Sequence, residues 1–135
     1  MADGIEIYEY NGAGYKPLVY SHDWMVALLN YEDLMGLEKA HEIERHMQTD
    51  EVFILLKGRA AFYLVAGDRP LQVLELKPGQ VYNVIKGTWH NLLATKDAVF
   101  AIVENRDTDV FDTETRPLTG GERQALLGQV PGWLN

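Results

Sequence analysis

Cysteine is absent from the 135 residues of this chain. Without thiols there is no disulfide framework and no thiolate zinc site. The sequence also has no run approaching the roughly 18 apolar residues that a membrane-spanning helix needs. Its first six residues are acidic and lack the apolar segment of a signal peptide. These absences lead us to expect a cytoplasmic protein.

Positive charge is scarce and scattered along the chain. Twelve Lys and Arg residues stand against twenty Asp and Glu residues, which gives a formal net charge of −8. A nucleic-acid-binding surface needs a clustered basic footprint, and an anionic membrane surface attracts basic segments. We therefore expect neither nucleic acid nor membrane as a partner, and we attribute the acidity to solubility.

The sequence predicts a single all-β domain over residues 1–135. Short runs of apolar or alternating residues are separated by Gly- and Pro-containing turns, a spacing typical of antiparallel sandwiches and barrels. The predicted strands cover residues 5–10, 15–20, 24–30, 52–56, 59–65, 71–76, 81–85, 89–94 and 98–104.

Three segments fall outside this strand pattern. Residues 31–39 fit either a helical turn or a long loop, and residues 105–117 fit either an ordered surface arm or a mobile loop. A helix is predicted after Thr119, because Thr119 can cap it, Glu122 stands at the capping-box position and Gly128 can end it. The following Trp133 is expected to dock on the body of the domain.

The stretch from Glu44 to Gly58 combines a polar cluster with an apolar run. Residues 52–56 are all apolar and too few for a helix, so they predict a strand buried on both faces. His46 and Glu51 lie just before this run, where a barrel opens at its mouth. Both are metal-ligand residue types, so this stretch is the best candidate for a functional site.

Glu44 shares a strand face with His46, because residues two apart on a strand point the same way. A second histidine, His90, follows a glycine turn far along the chain. If strand pairing brings these segments together, Glu44, His46, Glu51 and His90 converge. Two imidazoles and a carboxylate are a common set for a divalent ion such as Fe, Mn, Ni, Co or Zn.

Two separated motifs in residues 36–104 resemble those of the cupin family, small β-barrels with a jelly-roll plan. In the first motif, His46, Glu51 and Gly58 match the family's second histidine, its glutamate and its glycine. In the second motif, the matching residues are Gly79, Gly87 and His90. The resemblance implies a barrel core at about 36–104, followed by a C-terminal arm and helix at 105–135, with His46, Glu51 and His90 as metal ligands.

The chain departs from the family pattern at three positions. Glu44 stands where the first histidine is expected, Ile85 replaces a proline, and Asn91 follows His90 directly. Glu44 therefore has three open roles. It can be a fourth ligand that weakens the Lewis acidity of the ion, or a general base beside it. Without a metal, both glutamates would need His46, His90 or Arg45 to balance them.

The resemblance implies a small-molecule site rather than one particular reaction, since a fold does not determine a function. The first hypothesis is a metal-dependent enzyme of lyase, isomerase or dioxygenase type that acts on an oxygen-bearing metabolite, with Glu44 as base or ligand. The alternative is a non-catalytic module that binds or senses a metabolite in the same cavity. A homodimer is expected in either case.

Overall fold

Two antiparallel five-stranded sheets make up most of the computed structural model, which describes residues 3–134. The strands are β1 (Gly14–Ser21), β2 (Trp24–Asn30), β3 (Glu42–Arg45), β4 (Glu51–Lys57), β5 (Ala60–Val65), β6 (Gln72–Glu75), β7 (Val81–Val84), β8 (Trp89–Ala94), β9 (Val99–Asn105) and β10 (Glu114–Pro117). The two α-helices are α1 (Thr108–Phe111) and α2 (Gly120–Leu127).

The chain alternates between the sheets in the manner of a jelly roll. One sheet has the order β1-β2-β9-β4-β7, and the other has the order β10-β3-β8-β5-β6. Most strands that are consecutive in sequence, such as β3 and β4, lie in opposite sheets, whereas the hairpins β1–β2 and β5–β6 each stay within one sheet. This confirms the predicted all-β jelly-roll barrel with a short C-terminal helix. Strands β1 and β2 precede residue 36 and belong to the first sheet.

Aromatic side chains fill the centre of the barrel between the two sheets. Phe53 on β4 meets Phe62 on β5 edge to face, with ring centroids 5.2 Å apart, and meets Phe100 on β9 at 6.5 Å. All three side chains are buried. Edge-to-face pairs at these separations stabilise a core beyond simple area burial. This aromatic cluster forms a rigid floor below the polar residues of β4 and β8.

The apolar run on β4 is buried on one face only, which corrects the expectation that both faces are covered. Phe53 and Leu55 point into the barrel, whereas Val52 and Ile54 are half-buried and Leu56 is 55% exposed. The first sheet packs on the second sheet through its inner face alone. A continuous apolar run therefore reflects one buried face and an apolar outer face.

Residues 5–10, predicted as a strand, do not form one. Ile5 makes an isolated bridge, and the rest of the segment belongs to neither sheet of the described chain. Alternation supplies an apolar face, but a strand also needs a hydrogen-bonding neighbour. Here the Asn30 side chain donates to the carbonyls of Tyr10 and Gly12 at 3.0 and 2.7 Å. These bonds tie the end of the segment to the end of β2.

The segment 105–117 is an ordered arm, so the mobile-loop alternative is wrong for it. It contains α1, and it ends in β10, which pairs with β3 through Arg116↔Ile43 and Glu114↔Arg45. Its polar residues carry no strand periodicity because β10 is an edge strand held by main-chain hydrogen bonds. The arm extends the second sheet beside the barrel mouth.

The C-terminal region follows the prediction closely. Helix α2 begins after Thr119, whose side chain caps it together with Glu122, and Gly128 is its C-cap. The Trp133 indole docks on the body by donating to Glu75 Oε1 at 2.8 Å. The ambiguous segment 31–39 forms two short 3-10 turns, Asp33–Met35 and Leu37–Lys39.

The described residues contain no helix that is long and apolar enough to cross a membrane. The expected homodimer stays a prediction. The outer face of the first sheet carries half-buried apolar residues, among them Val26, Ile54 and Val103. A dimer would be able to bury such a face.

Candidate metal centre

Two histidines and a glutamate meet at the mouth of the barrel. His46 follows β3, Glu51 begins β4, and His90 lies on β8. The Nε2 atoms of both imidazoles lie 3.0 Å from the same oxygen, Oε1 of Glu51. All three side chains are buried. The structure thus brings together the three residues that the motif spacing selected.

The other nitrogen of each imidazole is held by the main chain. Nδ1–H of His46 donates to the Asp112 carbonyl at 2.7 Å, and Nδ1–H of His90 donates to the Thr88 carbonyl at 3.0 Å. A carbonyl oxygen can only accept a hydrogen bond, so each Nδ1 must carry a proton. The Nε2 atom of each ring is then directed at Glu51. Imidazoles that bind metals are oriented by partners of this type.

Local hydrogen bonds hold the two motifs in contact. The Gly87 amide donates to the His46 carbonyl at 2.7 Å, and Gly87 has a φ of 85°, a conformation that favours glycine. The Asp112 carboxylate accepts from the Met47 and Gln48 amides, each at 2.9 Å. The arm therefore fixes both the ring of His46 and the loop after it.

Charge within the cluster shifts the pKa values of His46 and Glu51 in opposite directions. Burial disfavours the charged form of His46, but its hydrogen bond to Glu51 and the Glu51 charge outweigh burial and raise its pKa to about 9. Burial likewise opposes ionisation of Glu51, but hydrogen bonds from the two histidines lower its pKa to about 2. Without an ion, N–H···O hydrogen bonds from the two imidazoles to Glu51 hold the cluster together.

Glu44 lies beside the cluster and inside the cavity. It is directly opposite His90 in the pairing of β3 with β8. A carboxylate oxygen of Glu44 and one ring nitrogen of each histidine, His46 and His90, all lie within 4.8 Å of one another. Burial raises the pKa of Glu44, the neighbouring histidines oppose this shift, and the charge of Glu51 adds to it. Arg45 instead pairs with Glu114 at 2.9 Å, so it does not neutralise Glu44.

Glu104 and Tyr15 are site residues that the sequence analysis missed. Glu104 ends the predicted strand 98–104 and was not singled out as a site residue, but it is only 5% exposed. It sits opposite Glu51 across β9 and β4, and its Oε1 accepts from the Tyr15 hydroxyl at 2.5 Å. The inward alternation of Phe100 and Ile102 on β9 extends to Glu104 and was the available indication.

Burial and the nearby charge of Glu51 raise the pKa of Glu104 to about 8. Burial also raises the pKa of Tyr15, reinforced by its hydrogen bond to Glu104. A second potential ligand set joins His46, Glu51 and Glu104, whose ligand-type atoms lie within 4.8 Å of one another. The centre therefore offers an additional carboxyl group on the wall that the first sheet provides.

These residues border a cavity of about 330 Å³. One wall is polar, and the remainder is apolar and includes Leu29, Met35 and Ile102. The arm closes one side through Asp109 and Thr113. A cavity of this size is at the lower end of the range for small-molecule sites.

Comparison with known proteins identifies the fold. No family model matches the chain, and no curated protein matches it. A cupin-2 domain protein from Shewanella frigidimarina is 25% identical, with a TM-score of 0.53 over 72% of this chain and 85% of its own. A cupin superfamily protein from Desulfitobacterium hafniense is 21% identical, with a TM-score of 0.51 over 75% of this chain and 83% of its own.

A third solved structure, iron(II) HppE in complex with its substrate, has a TM-score of 0.54 at 17% identity. The match covers 77% of this chain and 58% of that one. The fold and the buried histidine–carboxylate cluster place this chain in a class of small jelly-roll barrels with a polar centre in the barrel. Within that class, the solved structures that it resembles are cupins, so the chain has the cupin fold that its two motifs indicated.

Proposed function

We propose that this chain is a divalent-metal cupin in which His46, Glu51 and His90 hold the ion and a small metabolite binds beside it. The observation that carries the proposal is the convergence of two Nε2 atoms on one carboxylate oxygen, each at 3.0 Å. Because both Nδ1 atoms donate to carbonyls, each Nε2 can present a lone pair to an ion once its proton is displaced.

The donor set suits Fe, Mn, Ni, Co or Zn, since imidazole and carboxylate together are common ligands of these ions. A bound ion would orient and polarise an oxygen-bearing ligand in the cavity. His46 and His90 act as ligands, and the carbonyls of Asp112 and Thr88 keep their rings in position. Glu51 would supply a carboxylate ligand and its negative charge.

We propose that Glu44 is a base for the bound metabolite rather than a fourth ligand. Its pKa is raised by burial, which makes it a better proton acceptor near neutral pH than an ordinary glutamate. It lines the cavity next to both imidazoles. A base within reach of the ligand favours an enzyme of lyase, isomerase or dioxygenase type over a module that only binds its ligand.

Elemental analysis of the purified full chain tests the metal centre. We expect close to one divalent ion per chain in the wild type and almost none in His46→Ala, because that variant loses a ligand. His41→Ala is the matched control: it removes an exposed imidazole whose Nε2 contacts only the Glu38 carbonyl among the described residues. Equal metal content in wild type and His46→Ala would show that the ion, if any, binds elsewhere.

Glu44→Gln separates the two roles of that residue. If Glu44 is a base, the variant keeps its metal near one ion per chain, because His46, Glu51 and His90 are intact. If it is a ligand, the metal content falls as in His46→Ala. Folding of each variant is checked by circular dichroism, so that loss of metal is not confused with loss of structure.

A further inference from the structure

The first sheet has an outer face that is apolar where a solvated face would be polar. Along β2, β9 and β4, inward residues such as Ala27, Ile102 and Phe53 alternate with outward residues that are also apolar. Six half-buried outward residues form what we call the apolar patch: Val26, Leu28, Val52, Ile54, Ala101 and Val103. Strands with one face in water normally alternate apolar and polar residues. The apolar patch therefore departs from the pattern of a sheet that faces solvent.

Strand pairing arranges the apolar patch as two rows across the central strands of the first sheet. In one row, Val103 on β9 lies between Val26 on β2 and Val52 on β4. The second row is centred on Ala101 and contains the other two residues of β2 and β4. Beyond Val52, the first row ends on the polar residue Asn83 of the edge strand β7. An apolar centre with polar residues at its rim is typical of protein–protein interfaces.

The second sheet also has an apolar outer face, but the chain itself covers that one. Tyr63 on β5 and Leu93 on β8 are buried with Leu126 of α2 in a cluster separate from the barrel core. Residues 3–134 supply no such cover for the apolar patch, because its side chains belong to neither buried cluster and all stay partly exposed. The first sheet is therefore the one whose outer face is left for another molecule.

The first sheet is large enough for a stable interface. Its strands β2, β4 and β9 have seven residues each. With about 3.4 Å per residue and about 4.8 Å between strands, its outer face measures roughly 550 Å². Two copies packed on this face would bury roughly 1,100 Å² in total, which reaches the lower limit of about 1,000 Å² for a specific interface. Exposed apolar patches of several hundred Å² often mark interaction sites.

We infer that the apolar patch packs on the same patch of a second copy of this chain. Two antiparallel sheets pack face to face, about 10 Å apart, when the facing side chains are apolar. A twofold axis through the patch would bring identical surfaces into contact. Because each copy has a net charge of −8, two copies approach most easily through a surface without acids, and the patch has none. No residue of the patch lines the cavity, so the inference is independent of the proposed metal centre.

The N-terminal segment lies beside one end of the patch and favours the same partner. Residues 8–13 line a surface cavity together with Leu28 and Val99. Ile5 and Ile7, just before these residues, are exposed. A second copy seated on the patch would be able to cover them, which would extend the apolar contact beyond the sheet.

Sedimentation equilibrium of the full chain tests the inference. We expect twice the chain mass of 15.3 kDa, with a dissociation constant in the micromolar range or below. Ile54→Glu would bury an unpaired charge in the interface and should raise the dissociation constant by on the order of 100-fold. Leu127→Glu makes a similar change at an exposed position of α2 and should leave the dimer intact. A monomeric wild type, or equal dissociation in both variants, overturns the inference.

A conservative variant separates loss of the interface from loss of the fold. The chain has no cysteine, so Ala101→Cys introduces a single thiol into the patch with little change in size. Its rate of reaction with a thiol reagent should fall as the protein concentration rises through the dissociation constant, because the second copy shields it. The rate for Leu127→Cys should not change. An Ala101→Cys rate that is independent of concentration would show that a second copy does not occupy the patch.

Discussion

Two clusters of charged groups in this molecule differ in whether the protein itself satisfies them. At the start of α2, Glu122 accepts two hydrogen bonds from Arg116 at 2.7 and 2.9 Å and another from the Thr119 amide. At the barrel mouth, two imidazoles share one oxygen of Glu51, and Oε2 of Glu104 has no hydrogen-bond partner among residues 3–134.

We interpret the difference as that between a structural charge cluster and a candidate functional one. The α2 cluster has opposite charges in matched numbers, so it needs nothing further. The barrel cluster gathers carboxyl groups without a matching Lys or Arg on the cavity wall in the described chain. Buried groups that the protein leaves unsatisfied indicate a missing partner, and a cation meets that need.

The largest predicted contrast is in metal affinity. Glu51→Gln should weaken the binding of a divalent ion by on the order of 100-fold or more, because it removes a ligand and its charge. Glu122→Gln makes the same chemical change at the other cluster and should leave the affinity unaltered. Competition with a chelating dye measures both. Similar affinities in the two variants would remove the distinction drawn here.

Metal should also stabilise the fold through the barrel cluster alone. An ion present at 100 times its dissociation constant adds about 2.7 kcal/mol to the free energy of unfolding. Urea unfolding with excess metal and with chelator measures this increment. The increment should persist in Glu122→Gln and vanish in His46→Ala. An unchanged increment in His46→Ala would place the ion at another site.

Loss of the helix cap should affect stability without affecting the metal. Thr119→Ala removes the hydroxyl that accepts from the Glu122 amide at 3.1 Å. The loss of such a cap costs about 1 kcal/mol of unfolding free energy. Urea unfolding measures the cost, and elemental analysis should find an unchanged metal content. A parallel loss of metal would show that α2 and the barrel mouth are coupled.

The smallest predicted effect is the response of the α2 cluster to acid. The hydrogen bonds from Arg116, opposed by some burial, lower the pKa of Glu122 to about 2 from its ordinary 4.5. Ionised Glu122 therefore stabilises the fold above pH 4.5, and this contribution is lost as the pH falls toward 2. For a partly exposed ion pair it is less than about 1 kcal/mol.

Comparing the unfolding free energies of wild type and Glu122→Gln at pH 6 and pH 3 checks this dependence. The difference between the two proteins should be smaller at pH 3, because part of the wild-type contribution has been titrated away. A difference that is constant with pH would mean that the Glu122 charge contributes nothing to stability.

Residues with regular spacing were predictable, and those held only by tertiary neighbours were not. His46, Glu51 and His90 follow motif spacings that a jelly roll converts into proximity, so their convergence was expected. Glu104 ends a strand and adjoins the polar segment 105–117, and no motif spacing marks it as a site residue. The alternation along β9 places its side chain inward, but its position opposite Glu51 depends on the pairing of β9 with β4, a long-range contact that is not encoded in the local pattern.

One predicted strand is absent and one observed strand was not predicted, and the two differences have related causes. Residues 5–10 alternate correctly but find no partner strand in the described chain, whereas β10 lacks alternation but pairs with β3. Hydrogen-bonded pairing decides strand formation at a sheet edge, and side-chain periodicity is secondary there. The same applies to Val52 and Ile54, whose outer face is apolar without being buried inside the barrel.

The order of residues alone determined the all-β class and the capped helix α2, because periodicity and capping are local properties of a chain. Its resemblance to the cupin motifs selected the three residues that meet at the barrel mouth. Only the tertiary structure decided that Glu104 and Tyr15 join the site, that Asp112 orients His46, and that the cavity is lined by acids. Those features arise from contacts between residues distant in sequence, and such contacts exist only once the two sheets have packed.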